Sequence, residues 1–155
     1  MNLHCGTIEV KNLRSFLKKI PEGCVFIDAD YVLSTDTVEF AVRKATDSWK
    51  RGKRVSKNLS MEILLHFSAT RQINQAVRAG LKEGLNRVVV VELSPCQDFL
   101  HDHNFRECSV LKTDREKLRR IAEFYGIEEE EIKITGWEKL DLLVRERIAL
   151  FSISK

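Results

Sequence analysis

Arg87-Val88-Val89-Val90-Val91-Glu92-Leu93, taken with Glu62-Ile63-Leu64-Leu65-His66-Phe67-Ser68 upstream of it, decides the fold of this chain. Valine favours the extended backbone, and an apolar run without alternation fits a strand buried on both faces. The run 62–68 fits a strand or a helix, since Ile63-Leu64-Leu65 favours neither. We read it as a strand, because Thr70 then starts a new helix over Ile73, Ala76, Val77 and Ala79 that ends between Gly80 and Gly84. Strand, helix and strand across 62–93 form a βαβ unit with a right-handed crossover.

Upstream, Leu3 to Val10 carries the β-branched residues of a strand, and Asn12 caps a short helix through Lys19. Pro21-Glu22-Gly23 turns the chain into a short buried strand, Cys24 to Ile27. Asp36 with Glu39 resembles a capping box for a helix carrying Val38, Ala41, Val42, Ala45 and Trp49, which Gly52 ends. Downstream, Ser94 to Glu107 reads as a polar loop and Cys108 to Leu111 as a short strand. Thr113 with Glu116 opens a helix that Gly126 ends, and Glu128 to Glu131 reads as an exposed helix start. Thr135 with Glu138 opens a last helix from Trp137 to about Phe151. Its stripe of Trp137, Leu140, Leu143, Val144, Ile148 and Phe151 leaves Leu142, Ala149 and Leu150 over, which is more apolar surface than one core contact needs. The expected fold is therefore one α/β domain (α+β, mixed) over residues 1–155. A small mixed β-sheet with a βαβ unit is covered by several helices, and the C-terminal helix docks a partner.

The composition, 43% hydrophobic and 32% charged in 155 residues, is that of a globular protein able to bury a core. The net charge of +3 argues against a histone-like coat, but the charge is unevenly placed. No apolar run nears the roughly 20 residues needed to span a bilayer. The start Met1-Asn2-Leu3-His4-Cys5 lacks the basic and apolar regions of a signal peptide. The four cysteines, Cys5, Cys24, Cys96 and Cys108, form no Cys-x-x-Cys pair. The expectation is a cytoplasmic protein with reduced thiols.

Lys50-Arg51-Gly52-Lys53-Arg54-Val55-Ser56-Lys57 packs five cations into eight residues, directly before the apolar run. A basic loop held by a rigid element is a common way to present phosphate contacts. Lys50, Arg51 and Lys53 fit equally well as cations at a helix C-terminus, whereas Arg54, Lys57 and Asn58 lie beyond it. Trp49 and His66 are the nearest side chains on which an unpaired base could stack. Cys96, His101, His103 and Cys108 offer soft zinc ligands, but Cys-x4-His-x-His-x4-Cys is not the spacing of a zinc module. Asp28 and Asp30 after a strand end are either a carboxylate pair or an ordinary turn and cap. Catalytic signatures such as Gly-x-Ser-x-Gly, the P-loop and His-Glu-x-x-His are absent from the sequence.

At Lys57-Asn58-Leu59-Ser60-Met61-Glu62-Ile63-Leu64-Leu65, followed by Ser68-Ala69-Thr70-Arg71-Gln72-Ile73, the chain resembles a known family. This is the small kinase-binding, tRNA-docking subunit of the KEOPS complex, the PRPK-binding protein family, in its archaeal form. Cys24 to Ala29 and Leu142 to Leu150 extend the likeness over nearly the whole chain, and the order and spacing of the segments carry it. Ala69 departs from the pattern, where many relatives have glycine, and the cysteine and histidine loop at 94–108 lies outside it.

The resemblance implies a non-catalytic subunit of a mixed α/β fold with a small sheet. The complex installs threonylcarbamoyl on the adenosine beside the anticodon, and another subunit performs the transfer. The family docks on a kinase-like ATPase, and archaeal members hold the single-stranded 3′ CCA end of tRNA. On this reading tRNA meets Lys50, Arg51, Lys53, Arg54, Lys57, Asn58, Arg71 and Gln72. The ATPase meets Leu140, Leu143, Val144, Arg147, Ile148 and Phe151. No cofactor, metal, membrane or small-molecule substrate is expected. The alternative is a small metal-dependent hydrolase or nuclease built on Cys96, His101, His103 and Cys108, and a third reading is a regulatory module without RNA.

Overall fold

A computed structural model describes residues 1–154. Its strands are β1 (Asn2–Val10), β2 (Cys24–Asp28), β3 (Gly84–Glu92) and β4 (Arg106–Glu107). Its helices are α1 (Leu13–Lys19), α2 (Thr35–Lys50), α3 (Leu59–Ser68), α4 (Ile73–Ala76), α5 (Gln97–Asp102), α6 (Arg115–Phe124), α7 (Glu129–Thr135) and α8 (Leu140–Ser154). The mixed α/β class is as expected, but the sheet is antiparallel throughout, in the order β2-β3-β1-β4. β3 pairs with β1 from Asn2 opposite Glu92 to Val10 opposite Gly84, and with β2 from Cys24 opposite Glu92.

The expected βαβ unit over 62–93 does not exist, because residues 59–68 are α3. Every side chain from Glu62 to Ser68 is buried, so the helix shows no polar face and its 3.6-residue period is invisible in the sequence. The chain's own βαβ arrangement comes earlier and is split. β1 and β2 are both antiparallel to β3, so they run parallel to each other with β3 between them.

The valine run is buried on both faces, as expected. Val89 and Val91 join Val25 and Ile27 against α2, α3, α6 and α8 in the larger core. Val88 and Val90 face the other way, with Phe26 and Ile8, against α1 and α5. The sheet is thus the middle of three layers.

The starts of α2 and α6 move by one or two residues from the expected caps, and the last helix, expected from Trp137 behind Thr135, begins as an α-helix at Leu140, since Thr135 still belongs to α7. Ser34, not Asp36, accepts the Thr37 N–H to cap α2, and Asp114, not Thr113, caps α6. The expected loop 94–107 contains α5, and the expected strand at 108–111 is displaced to Arg106–Glu107. Ser34 and Thr37 also donate to the Asp141 carboxylate at 2.6 and 2.7 Å, which fixes the start of α8 to the start of α2.

Candidate nucleic-acid interface

The basic loop leaves α2 at Arg51 and turns at Gly52, whose φ of +74° is the left-handed conformation that glycine tolerates. Lys50, Arg51, Lys53, Arg54, Lys57 and Asn58 are all exposed. A buried carboxylate holds this loop in place. Glu62 is 0% exposed, and it accepts the Val55 N–H at 3.0 Å and the Ser56 N–H at 2.8 Å. His66 Nδ1 lies 3.7 Å from the same carboxylate and donates to the Glu62 carbonyl at 2.9 Å. The sequence signal for this anchor is one acid inside an otherwise apolar run, just after five cations.

Three expected contacts have other duties. Asn58 is the N-cap of α3, its side-chain oxygen accepting the Met61 N–H at 2.7 Å. The Arg54 guanidinium lies 3.7 Å over the half-buried Trp49 ring, so that ring face is already covered. His66 is no base platform: it is fully buried and meets Phe151 edge-on at 5.1 Å.

Arg71 and Gln72 are exposed, but they stand beyond the opposite end of α3 from Lys57. Ten helical residues separate the two groups, a span of about 15 Å at roughly 1.5 Å per residue. Ala69 makes the turn between them with φ +51° and ψ +44°, the left-handed conformation for which glycine is the usual choice. The Thr70 hydroxyl then accepts the Gln72 N–H at 3.1 Å.

Beside the N-terminal end of α3 lies a mostly apolar groove of about 670 Å³. Leu17, Leu59, Met61, Leu64, Val77 and Leu81 line it, with Asn58 on its wall. Sequence reasoning missed this groove, because α1, α3 and residues 77–81 meet only in three dimensions.

The expected partner stripe on α8 is core. Leu140, Leu143, Val144, Ile148 and Phe151 are all buried in this chain, so their side chains pack the protein itself. Arg147 grips Glu131 through both terminal nitrogens at 3.0 and 3.2 Å and also reaches the Gly126 carbonyl. That contact holds Glu131 below and Arg147 above their ordinary pKa values. The outward face of the helix instead carries Leu142, Leu150 and Ile153, each more than half exposed, with Ala149 partly covered.

Cys96, His101, His103 and Cys108 do not converge. Cys96 is buried and its N–H donates to the Glu92 carboxylate, whereas Cys108 is exposed. His103 donates to the Phe99 carbonyl and packs on Phe16 and Phe99, and His101 is exposed. Among the described residues no group of cysteine, histidine or carboxylate side chains could hold a metal, so the alternative hydrolase reading is not assembled. Asp28 and Asp30 are an ordinary turn rather than an acid-base pair. Asp28 accepts the Asp30 N–H and pairs with Lys82 at 2.8 Å, while Asp30 pairs with Arg87 at 2.7 Å. Among the described residues no helix is long and apolar enough to cross a membrane.

A family model described as kinase binding protein CGI-121 matches residues 8–152. The chain is also similar to the regulatory protein Cgi121 of Methanocaldococcus jannaschii, with 30% identity over 140 residues that cover 83% of each protein. It is similar to the EKC/KEOPS complex subunit CGI121 of Coccidioides immitis, with 25% identity over 118 residues. That match covers 66% of this chain and 57% of the fungal protein, less than two thirds of its length.

Proposed function

The chain belongs to the CGI-121 family of kinase-binding proteins, and from that membership we propose that it is a non-catalytic subunit of a KEOPS complex. It docks on the kinase-like ATPase and brings tRNA to the assembly by holding its 3′ CCA end. The complex then builds threonylcarbamoyladenosine beside the anticodon, with the transfer performed by another subunit.

The observation that carries the tRNA reading is the anchored basic loop beside an apolar groove. A single-stranded tail needs cations for its phosphates and an apolar surface for its splayed bases. Lys50, Arg51, Lys53, Arg54 and Lys57 supply the first, and Leu59, Met61 and Val77 the second. Arg71 and Gln72 sit about 15 Å further along α3, where a strand laid along the helix would meet them. Asn58 shapes the groove through its cap, and its contact with a base is secondary to that role.

The ATPase surface moves from the buried stripe to the outward face of α8. Leu142, Ala149, Leu150 and Ile153 form the apolar strip that a partner helix or sheet would cover.

The test is a pair of variants. Lys57→Glu with Arg71→Glu removes two cations that flank α3 and leaves the core untouched. With about 0.7 counterions released per single-strand phosphate contact, the slope of log K against log salt falls by at least about 1.4 in magnitude. Leu150→Glu keeps tRNA binding and abolishes co-purification with the ATPase. A double variant that binds tRNA as wild type does refutes the tail site, and a Leu150→Glu protein that still binds the ATPase refutes the docking face.

A further inference from the structure

Two cysteines face each other across the edge of the sheet. β1 and β4 pair Gly6 with Glu107 and Thr7 with Arg106. The same register, continued by one residue, sets Cys5 opposite Cys108, and the Cys108 N–H donates to the Cys5 carbonyl at 3.0 Å. Directly opposed residues of an antiparallel pair point to the same face, with Cα atoms about 5.5 Å apart where they are hydrogen-bonded. Disulfides span Cα separations of about 4.4–6.8 Å, so the spacing of such a pair falls within that span, and a small approach of the two Cβ atoms closes the bridge. Both cysteines are free, Cys108 exposed and Cys5 half-buried. Cys24 and Cys96 are both buried and belong to the core on the other face of the sheet. Cys5 packs on the larger core, so the sheet itself separates it from them.

We propose that Cys5 and Cys108 are a reversible modification site, a thiol pair that a small disulfide of the oxidised-glutathione class converts into a cross-strand disulfide. The Cys108 thiol gives up its proton, and the thiolate attacks one sulfur of the small disulfide. That S–S bond breaks, and the departing thiolate takes up a proton as the first molecule of free thiol. The Cys5 sulfur then attacks Cys108 Sγ, loses its own proton and displaces the second small thiol. Two protein thiols are oxidised, and one small disulfide is reduced to two thiols. An excess of the reduced small thiol runs the sequence backwards.

The order of attack follows from burial. Burial first, then the charges of Glu107 and Cys108, push the Cys5 thiol above its ordinary range. The exposed Cys108 is therefore the sulfur that meets the oxidant, and Cys5 resolves it. The product pins β4, only two residues long, to β1 and ties down the segment between α5 and α6.

The full-length protein, reduced and then incubated with oxidised glutathione, is mapped by mass spectrometry of unreduced peptides alongside a count of free thiols. The expected result is a Cys5–Cys108 linked peptide and the loss of two of the four thiols, both reversed by dithiothreitol. Cys5→Ser stops at a glutathione adduct on Cys108, and Cys108→Ser, at an exposed position, forms no internal bond. A Cys24–Cys96 bond, a wild-type protein that keeps glutathione on Cys108, or four intact thiols would each overturn the proposal.

Discussion

Replacing Glu62 by glutamine separates two ways in which the basic loop would act in the proposed tRNA binding. The side chain keeps its size but loses its charge, at a position with no exposure to solvent. In the native protein the carboxylate accepts backbone N–H groups from Val55 and Ser56. Hydrogen bonds to a charged group contribute about 1.5–3 kcal/mol each and neutral ones about 0.5–1.5 kcal/mol. Two such bonds therefore weaken by about 2–3 kcal/mol in total, since one amide oxygen remains as an acceptor. In a chain of this length that lowers Tm by roughly 5–10 °C. The same change raises the net charge by one, so bulk electrostatics alone calls for tighter tRNA binding. If Glu62 acts by holding the loop in one shape, binding weakens instead, because the cations must be ordered at the moment of contact. Thermal unfolding and fluorescence anisotropy with intact tRNA, at two salt concentrations, read both effects. A Tm within about 2 °C of wild type, or tighter binding by Glu62→Gln, would refute the anchoring role.

Ala69→Gly relieves a left-handed residue at the end of α3 and stabilises the protein by about 1 kcal/mol, an increase in Tm of a few degrees seen in a melting curve. Ile148→Ala costs about 3–4 kcal/mol in urea unfolding, because the side chain is fully buried, whereas Leu150→Ala changes stability by less than about 0.5 kcal/mol. The Cys96 N–H, then the His4 side chain, hold the Glu92 carboxyl down to about 2, below its ordinary value. Its stabilisation is therefore complete above the unfolded carboxyl value near 4.5 and is lost as pH falls from there toward about 2. Glu92→Gln flattens the decline in stability across that window, and an unchanged acid-unfolding profile would contradict it.

The elements with a period or a cap were legible, and those without were not. The valines of β3 and the Asn12 and Gly52 boundaries stand where the sequence put them, because each signal is local. α3 reads as a strand in the sequence because seven consecutive buried side chains erase the contrast on which periodicity depends. Asn58 before it and Ala69 after it bracket ten residues, a helical length rather than a strand's, but Asn58 in the sequence reads as a tRNA contact rather than as a cap. The stripe of α8 was recognised as apolar, and only packing against α2 and α3 shows that it faces inward. Glu62 and the groove depend on contacts between distant segments, which no window along the chain reveals.

The most direct measurement is the anisotropy of this protein, alone, with an intact tRNA and with the same tRNA trimmed of its CCA end. Recruitment through the tail requires binding to the intact molecule and its collapse on trimming. Equal binding to both would contradict it and reduce the basic loop to a patch for any phosphate.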